Sequence, residues 1–143
     1  MRLAVIDGQG GGIGKAIVER LRKGLPEEVE IIALGTNSLA TVAMLKAGAN
    51  DGATGENAIV QTVKDVDVII GTVSIVMANS MLGELTPRMA EAIASARARK
   101  LLLPLTRSPV TVVGVVQEPL PHLVDMLVRE VARMYGGEKD VRS

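Results

Sequence analysis

"VIDGQGGGIGKAI", residues 5–17, decides the fold. A short apolar run passes into five glycines within positions 8–14, and a helical apolar period begins directly afterwards. The run RLAVID (2–7) predicts a buried strand. Beyond the glycines, Ile13, Ala16, Ile17 and Leu21 share one helical face, and Glu19, Arg20, Arg22 and Lys23 lie largely elsewhere. Gly24 and Pro26 stop that helix, and VEIIALG (29–35) reads as a second strand. Strand, glycine loop, helix and strand within the first 35 residues form one βαβ unit with parallel strands.

The alternation continues. Asn37 or Ser38 caps a helix running to about Ala47 and closed by Gly48. ANDGAT (49–54) holds a very short third strand, GENAIVQTVKD (55–65) a helix, and VDVIIG (66–71) a buried strand. Thr86 caps a helix with Pro87 in its first position, running to about Ala98. KLLLPLT (100–106) reads as a strand and VTVVGVV (110–116) as another. The link between them is too short for a crossover helix, so the last strand is expected to be antiparallel at a sheet edge. Leu120, Leu123, Val124, Leu127, Val128, Val131 and Met134 mark one face of a long C-terminal helix. The expectation is a single domain over residues 1–143: a doubly wound, mostly parallel α/β sheet with one antiparallel edge strand.

Composition narrows the function. Residues of hydrophobic type make up 48% of the 143, yet the only aromatic is Tyr135, so Val, Ile, Leu, Met and Ala build the core. Sixteen basic residues balance sixteen acidic ones, which provides no long-range field toward nucleic acid or an anionic membrane. With that single aromatic there is also no stacking platform for splayed bases. The chain lacks cysteine and has one histidine, so disulfides, thiolate chemistry and conventional transition-metal sites are not expected. The N-terminus has no signal-peptide layout, and the uncharged run between Asp67 and Glu84 is short for a bilayer span. A cytoplasmic protein is the expectation.

The glycine loop fits neither the phosphate-loop pattern G-x-x-x-x-G-K-[ST] nor G-x-G-x-x-G. It fits G-x-x-x-G-x-G, as Gly8, Gly12 and Gly14, and so resembles the cofactor loop of the short-chain dehydrogenase/reductase superfamily. That resemblance implies NAD or NADP as the cofactor. The physical basis is close backbone approach to a pyrophosphate, with free N–H groups and partial positive charge at the following helix; the alternative is a tight turn that needs glycine for packing alone. In an open α/β sheet, ligands lie outside the carboxyl ends of the strands. The candidate cofactor-binding residues are therefore Asp7, Gly8, Gln9, Gly10, Gly11, Gly12, Ile13 and Gly14, with Thr36, Asn37, Glu56, Asn57, Gly71 and Thr72 from the neighbouring ends; Thr106-Arg107 is a further strand end.

Two features depart from the superfamily. Asp7 stands where a hydroxyl residue is usual, and it repels phosphate, caps the loop's own N–H groups or holds a cation, with capping the preferred reading. The second strand ends in ALGTNS, without the acid that binds ribose in an NAD site. The superfamily's Tyr-x-x-x-Lys pair has a counterpart in Tyr135 and Lys139, but Gly136-Gly137 breaks the helix that would align them. His122, in the first turn of the last helix, has no partner in sight that would make it a general base. The segment 71–87 is expected to be buried or to contact a second subunit, with Asn79, Ser80 and Glu84 as polar contacts.

AVIDGQGGGIGKAIVE, IIALGTNSLAT, MLKAGAN, GATGENAI and ANSMLGELTP together resemble a family of short bacterial proteins described only as a domain of unknown function. That resemblance covers nearly the whole chain and implies no reaction. The expected function is binding of NAD(P), another nucleotide or a phosphorylated small molecule, as a sensor or binding subunit in a homodimer or higher homo-oligomer. The alternatives are a dimeric NAD(P)-dependent oxidoreductase in which Asp7 or Glu56 reaches the cofactor, and an assembly protein whose glycines only turn the chain.

Overall fold

The computed structural model describes residues 1–106 and 109–137. Five strands alternate with helices: β1 (Arg2–Asp7), α1 (Gly12–Gly24), β2 (Glu30–Gly35), α2 (Ser38–Lys46), β3 (Asp51–Thr54), α3 (Glu56–Thr62), β4 (Val68–Thr72), α4 (Pro87–Ser95), β5 (Arg99–Leu103) and α5 (Leu120–Tyr135). The strand order is β3-β2-β1-β4-β5 and every pairing is parallel. This is a doubly wound sheet whose order reverses between β1 and β4, the point where such folds bind ligands.

Strand alternation divides the core in two. Leu3 and Val5 of β1 face Ile17, Val18 and Leu21 of α1, Met44 of α2 and Leu123, Val124, Leu127 and Val131 of α5. Ala4 and Ile6 face the opposite layer, where Ile59 of α3 and Met89, Ala90 and Ile93 of α4 pack with Ile75 and Leu85. The central strands are apolar on both sides because both faces are covered, as parallel sheets require. Among the described residues no helix is long and apolar enough to cross a membrane.

The expected antiparallel edge strand is not found among the described residues. Residues 110–116 form no strand and are exposed throughout, with Val113 at 91%. Their β-branched composition gives local propensity, which forms a strand only where a partner supplies the ladder. Gly114, at φ 89°, interrupts the extended run with a turn, and β5 pairs only with β4. Arg107, expected with Thr106 at the carboxyl end of the preceding strand, lies outside the described residues.

This difference is measurable. Val113→Ser is expected to change stability by less than about 0.5 kcal/mol, whereas Ile70→Ala, fully buried in β4, should cost about 3 kcal/mol. Urea unfolding of both variants distinguishes a solvent-facing segment from a buried edge strand.

Candidate functional site

The glycine loop connects the carboxyl end of β1 to α1 at the point where the strand order reverses. Its turn is closed by Gly11 N–H donating to the Gly8 carbonyl at 2.9 Å. Gly11 has φ 75°, and a Cβ there would sit 2.8 Å from the Ala40 Cα. At Gly14 a Cβ would meet the Met44 Sδ at 2.6 Å and the Asp7 Cβ at 2.8 Å. At Gly8 it would meet Thr36 Oγ1 at 2.3 Å, Met81 Sδ at 2.7 Å and Glu84 Oε1 at 2.8 Å. Packing and backbone conformation therefore account for these three. They do not account for Gly10 and Gly12, where an added Cβ meets nothing within 4 Å and φ is not positive.

Asp7 fastens the loop from beneath. Oδ1 accepts from Gly8 N–H at 2.8 Å and Oδ2 from Gly14 N–H at 2.7 Å. Helix α1 has Gly11 as its N-cap and no acid in its first turn, so this carboxylate from the strand end acts as its cap. Asp7 is buried, and burial raises its pKa above the ordinary carboxylate value against the two N–H groups, which lower it; Glu84 adds a smaller repulsion. The backbone N–H groups of Gly10, Gly12 and Ile13 have no hydrogen-bond partner among the described residues.

The end of β2 meets the loop through Glu84. Its Oε1 accepts from Gln9 N–H at 2.7 Å, Thr36 Oγ1 at 2.7 Å and Asn37 Nδ2 at 3.0 Å. Asn37 also donates to the Gln9 carbonyl at 3.0 Å and caps α2, its Oδ1 accepting from Ala40 N–H at 2.9 Å. The hydrogen bonds from Thr36 and Gln9 hold the Glu84 carboxyl below its ordinary value, so it is ionised at neutral pH. Glu84 arrives on a tight strap: Asn79, Met81 and Leu82 are left-handed at φ 68°, 59° and 56°, followed by Gly83 at 89°. Each non-glycine residue there costs on the order of 1 kcal/mol. The strap is fastened by Asn79 N–H to the Leu85 carbonyl at 2.7 Å and by Ser80 Oγ to the Ser74 carbonyl at 2.6 Å. Segment 71–87, expected to be buried or to contact a second subunit, is buried in part: Ser74, Ile75 and Leu85 are inside, while Leu82 is 97% exposed.

The other expected residues are less closely joined. Glu56, at the start of α3, accepts from Thr86 Oγ1 at 2.8 Å, and Thr86 in turn caps α4 through Met89 N–H. Asn57 is exposed. Gly71 lies in β4, where an added Cβ would sit tightly, 3.0 Å from the Ile6 carbonyl oxygen, and Thr72 caps the following 3-10 turn, accepting from Ser74 N–H at 3.3 Å. His122 is exposed and its Nδ1 pairs with Glu118 at 2.8 Å. Tyr135 ends α5 before Gly136, and Lys139 lies outside the described residues. Among the described residues no three His, Cys, Asp or Glu side chains converge as a metal site. A surface cavity of about 490 Å³ between α1 and α5, lined by Arg20, Lys23, His122, Asp125 and Arg129, involves none of the residues at the strand ends.

Sequence reasoning offered Glu84 as a polar contact of a buried or subunit-facing segment and did not join it to the loop. Its partner Thr36 is 48 residues away, and the only local signal is a first acid ending a long uncharged run.

The chain is thus an all-parallel, doubly wound α/β protein with a glycine-rich β1–α1 loop at its switch point. Residues 2–136 match the family described as Domain of unknown function (DUF3842), and the chain belongs to that family. Comparison with curated proteins and with solved structures gave no match.

The loop's glycines separate by experiment. Gly11→Ala is expected to destabilise by about 1–3 kcal/mol, from left-handed strain and contact with Ala40. Gly12→Ala should be neutral or stabilise by up to about 1 kcal/mol, because it restricts the unfolded chain at a compatible position. Denaturant midpoints measure both.

Asp7→Asn, which offers one acceptor to two N–H groups, should cost about 1–3 kcal/mol at neutral pH. The raised pKa sets the sign of its pH dependence. Between Asp7's ordinary value and its folded value the folded state holds more protons, so the wild type loses stability as pH rises through that window. Asp7→Asn should lack this loss, and the gap between the two proteins should narrow from acid to neutral pH. The opposite trend of Glu84, whose stabilisation fades as pH falls, is common to both proteins and largely cancels.

Proposed function

We propose that this protein binds a nucleotide, with NAD(H) or NADP(H) the leading candidates, across the Gly8–Gly14 loop and the end of β2, and acts as a binding or sensing subunit. The observation that carries the reading is the pair Gly10 and Gly12. The fold leaves both glycines unused, and beside them three backbone N–H groups have no partner among the described residues, at the carboxyl end of the strands where such folds bind ligands. A pyrophosphate needs close backbone approach and free N–H donors together. Thr36, Asn37 and Gln9 lie where the adjoining ribose would rest.

Binding is favoured over catalysis because Asp7 and Glu56, the two acids the sequence offered for an enzyme, are already engaged. Asp7 is committed to two loop N–H groups and Glu56 to Thr86. Neither is poised to exchange a proton with a bound ligand.

Thermal unfolding with NAD⁺, NADH, NADP⁺, NADPH, ADP-ribose and ATP, each tested separately, checks this reading. A ligand present at a hundred times its dissociation constant stabilises by about 2.7 kcal/mol, which raises the midpoint by several degrees. Gly12→Ala should lose that shift while its ligand-free midpoint stays the same or rises slightly. Absence of a shift with every ligand at millimolar concentration would overturn the reading.

A further inference from the structure

We propose that Glu84 is the acid that reads the ribose of the bound nucleotide, so that the site selects an unphosphorylated ribose and takes NAD(H) in preference to NADP(H). This inference rests on nucleotide binding at the glycine loop. In doubly wound nucleotide-binding folds the residue that accepts from a ribose hydroxyl stands at the end of the second strand. Here that place holds Gly35, Thr36 and Asn37, none of which is acidic. The folded chain supplies a carboxylate to the same place from another segment. Glu84 Oε1 lies 2.7 Å from Thr36 Oγ1 and 3.0 Å from Asn37 Nδ2, and it also accepts from Gln9 N–H at 2.7 Å.

The three donors come from two different strand ends, so they fix the carboxylate between the loop and β2. All three act on Oε1. The second oxygen, Oε2, has no hydrogen-bond partner among the described residues, and it remains an acceptor for an incoming hydroxyl. A ribose 2′,3′-diol offers hydroxyl donors to such an oxygen. A 2′-phosphate offers none at neutral pH and carries negative charge toward a carboxylate. No Lys, Arg or His among the described residues bonds or pairs with Gln9, Thr36, Asn37 or Glu84 to neutralise that charge.

The site is also polarised along the ligand. Free N–H donors at Gly10, Gly12 and Ile13 suit a pyrophosphate, and an acceptor at Glu84 suits the adjoining sugar. The left-handed run Asn79, Met81 and Leu82 turns the strap so that Glu84 points back to β2. The carboxyl's lowered pKa keeps it in its accepting form over the physiological range.

Isothermal titration of the intact protein with NAD⁺, NADP⁺ and ADP-ribose, beside Glu84→Gln, tests the proposal. The wild type should bind NAD⁺ at least tenfold more tightly than NADP⁺. Glu84→Gln retains an oxygen for the three donors, and it should weaken NAD⁺, strengthen NADP⁺ and reduce the ratio at least tenfold. Melting curves establish that the variant is folded. If it is not, Glu84→Asp, which withdraws the carboxylate by one methylene, should reduce the same ratio. Equal affinity of the wild type for both dinucleotides, or a ratio unchanged in a folded variant, would overturn the proposal and leave Glu84 as a fastener of the strap. Equal tightening of both ligands in the variant would also overturn it, because Glu84 would then compete with the ligand. Failure of all three probes to bind would instead overturn the nucleotide reading, and this assignment with it.

Discussion

The Asp7 carboxylate spans the two ends of the glycine loop, and the geometry of the site depends on that bridge. One oxygen holds Gly8 and the other holds Gly14, so β1 is tied to the first turn of α1 through a single buried group. A buried carboxylate is unfavourable without compensation, and here two backbone donors and the positive end of a helix offset part of that cost, burial still leaving the pKa raised. The bridge has a steric consequence, since residue 14 must come close enough for its N–H to reach Asp7, which excludes a Cβ. Loop conformation, helix capping and the glycine at 14 are therefore one constraint.

A second carboxylate works on the outside of the same loop. Glu84 joins Gln9 to Thr36 and Asn37, so the ends of β1 and β2 and the strap after β4 meet at one oxygen. The two acids differ in setting and in titration. Asp7 is buried and its pKa is raised, while Glu84 is only partly buried, held by three donors, and lowered. The inner acid organises the backbone, and the outer one joins the ends of β1 and β2 across the loop's outer side. Between them, Gly10 and Gly12 remain as the glycines that the fold does not need.

Much of this was legible in the sequence. The apolar run RLAVID, the five glycines and the period from Ile13 are local patterns, and burial of β1 and α1 follows from them. Asn37 capped α2 and Thr86 capped α4 as their types suggest, because a cap is satisfied by N–H groups two or three residues away. Strand β3 was readable only faintly: DGAT has little apolar content and forms because β2 offers its edge. The stretch 110–116 failed for the converse reason, since its valines carry strand propensity but Gly114 turns the chain and no ladder forms.

The sequence by itself determined the parallel βαβ start, the glycine loop and the sheet's apolar strands, because each depends on residues close together in the chain. It also marked Asp7, whose partners Gly8 and Gly14 lie within seven residues. Only the tertiary structure decided which glycines are needed for packing, since that depends on Ala40, Met44, Thr36 and Met81 arriving from elsewhere. It alone placed Glu84 against Thr36, across 48 residues of chain. A side chain's period reports which face it occupies, whereas its partner is fixed by the path of the whole backbone.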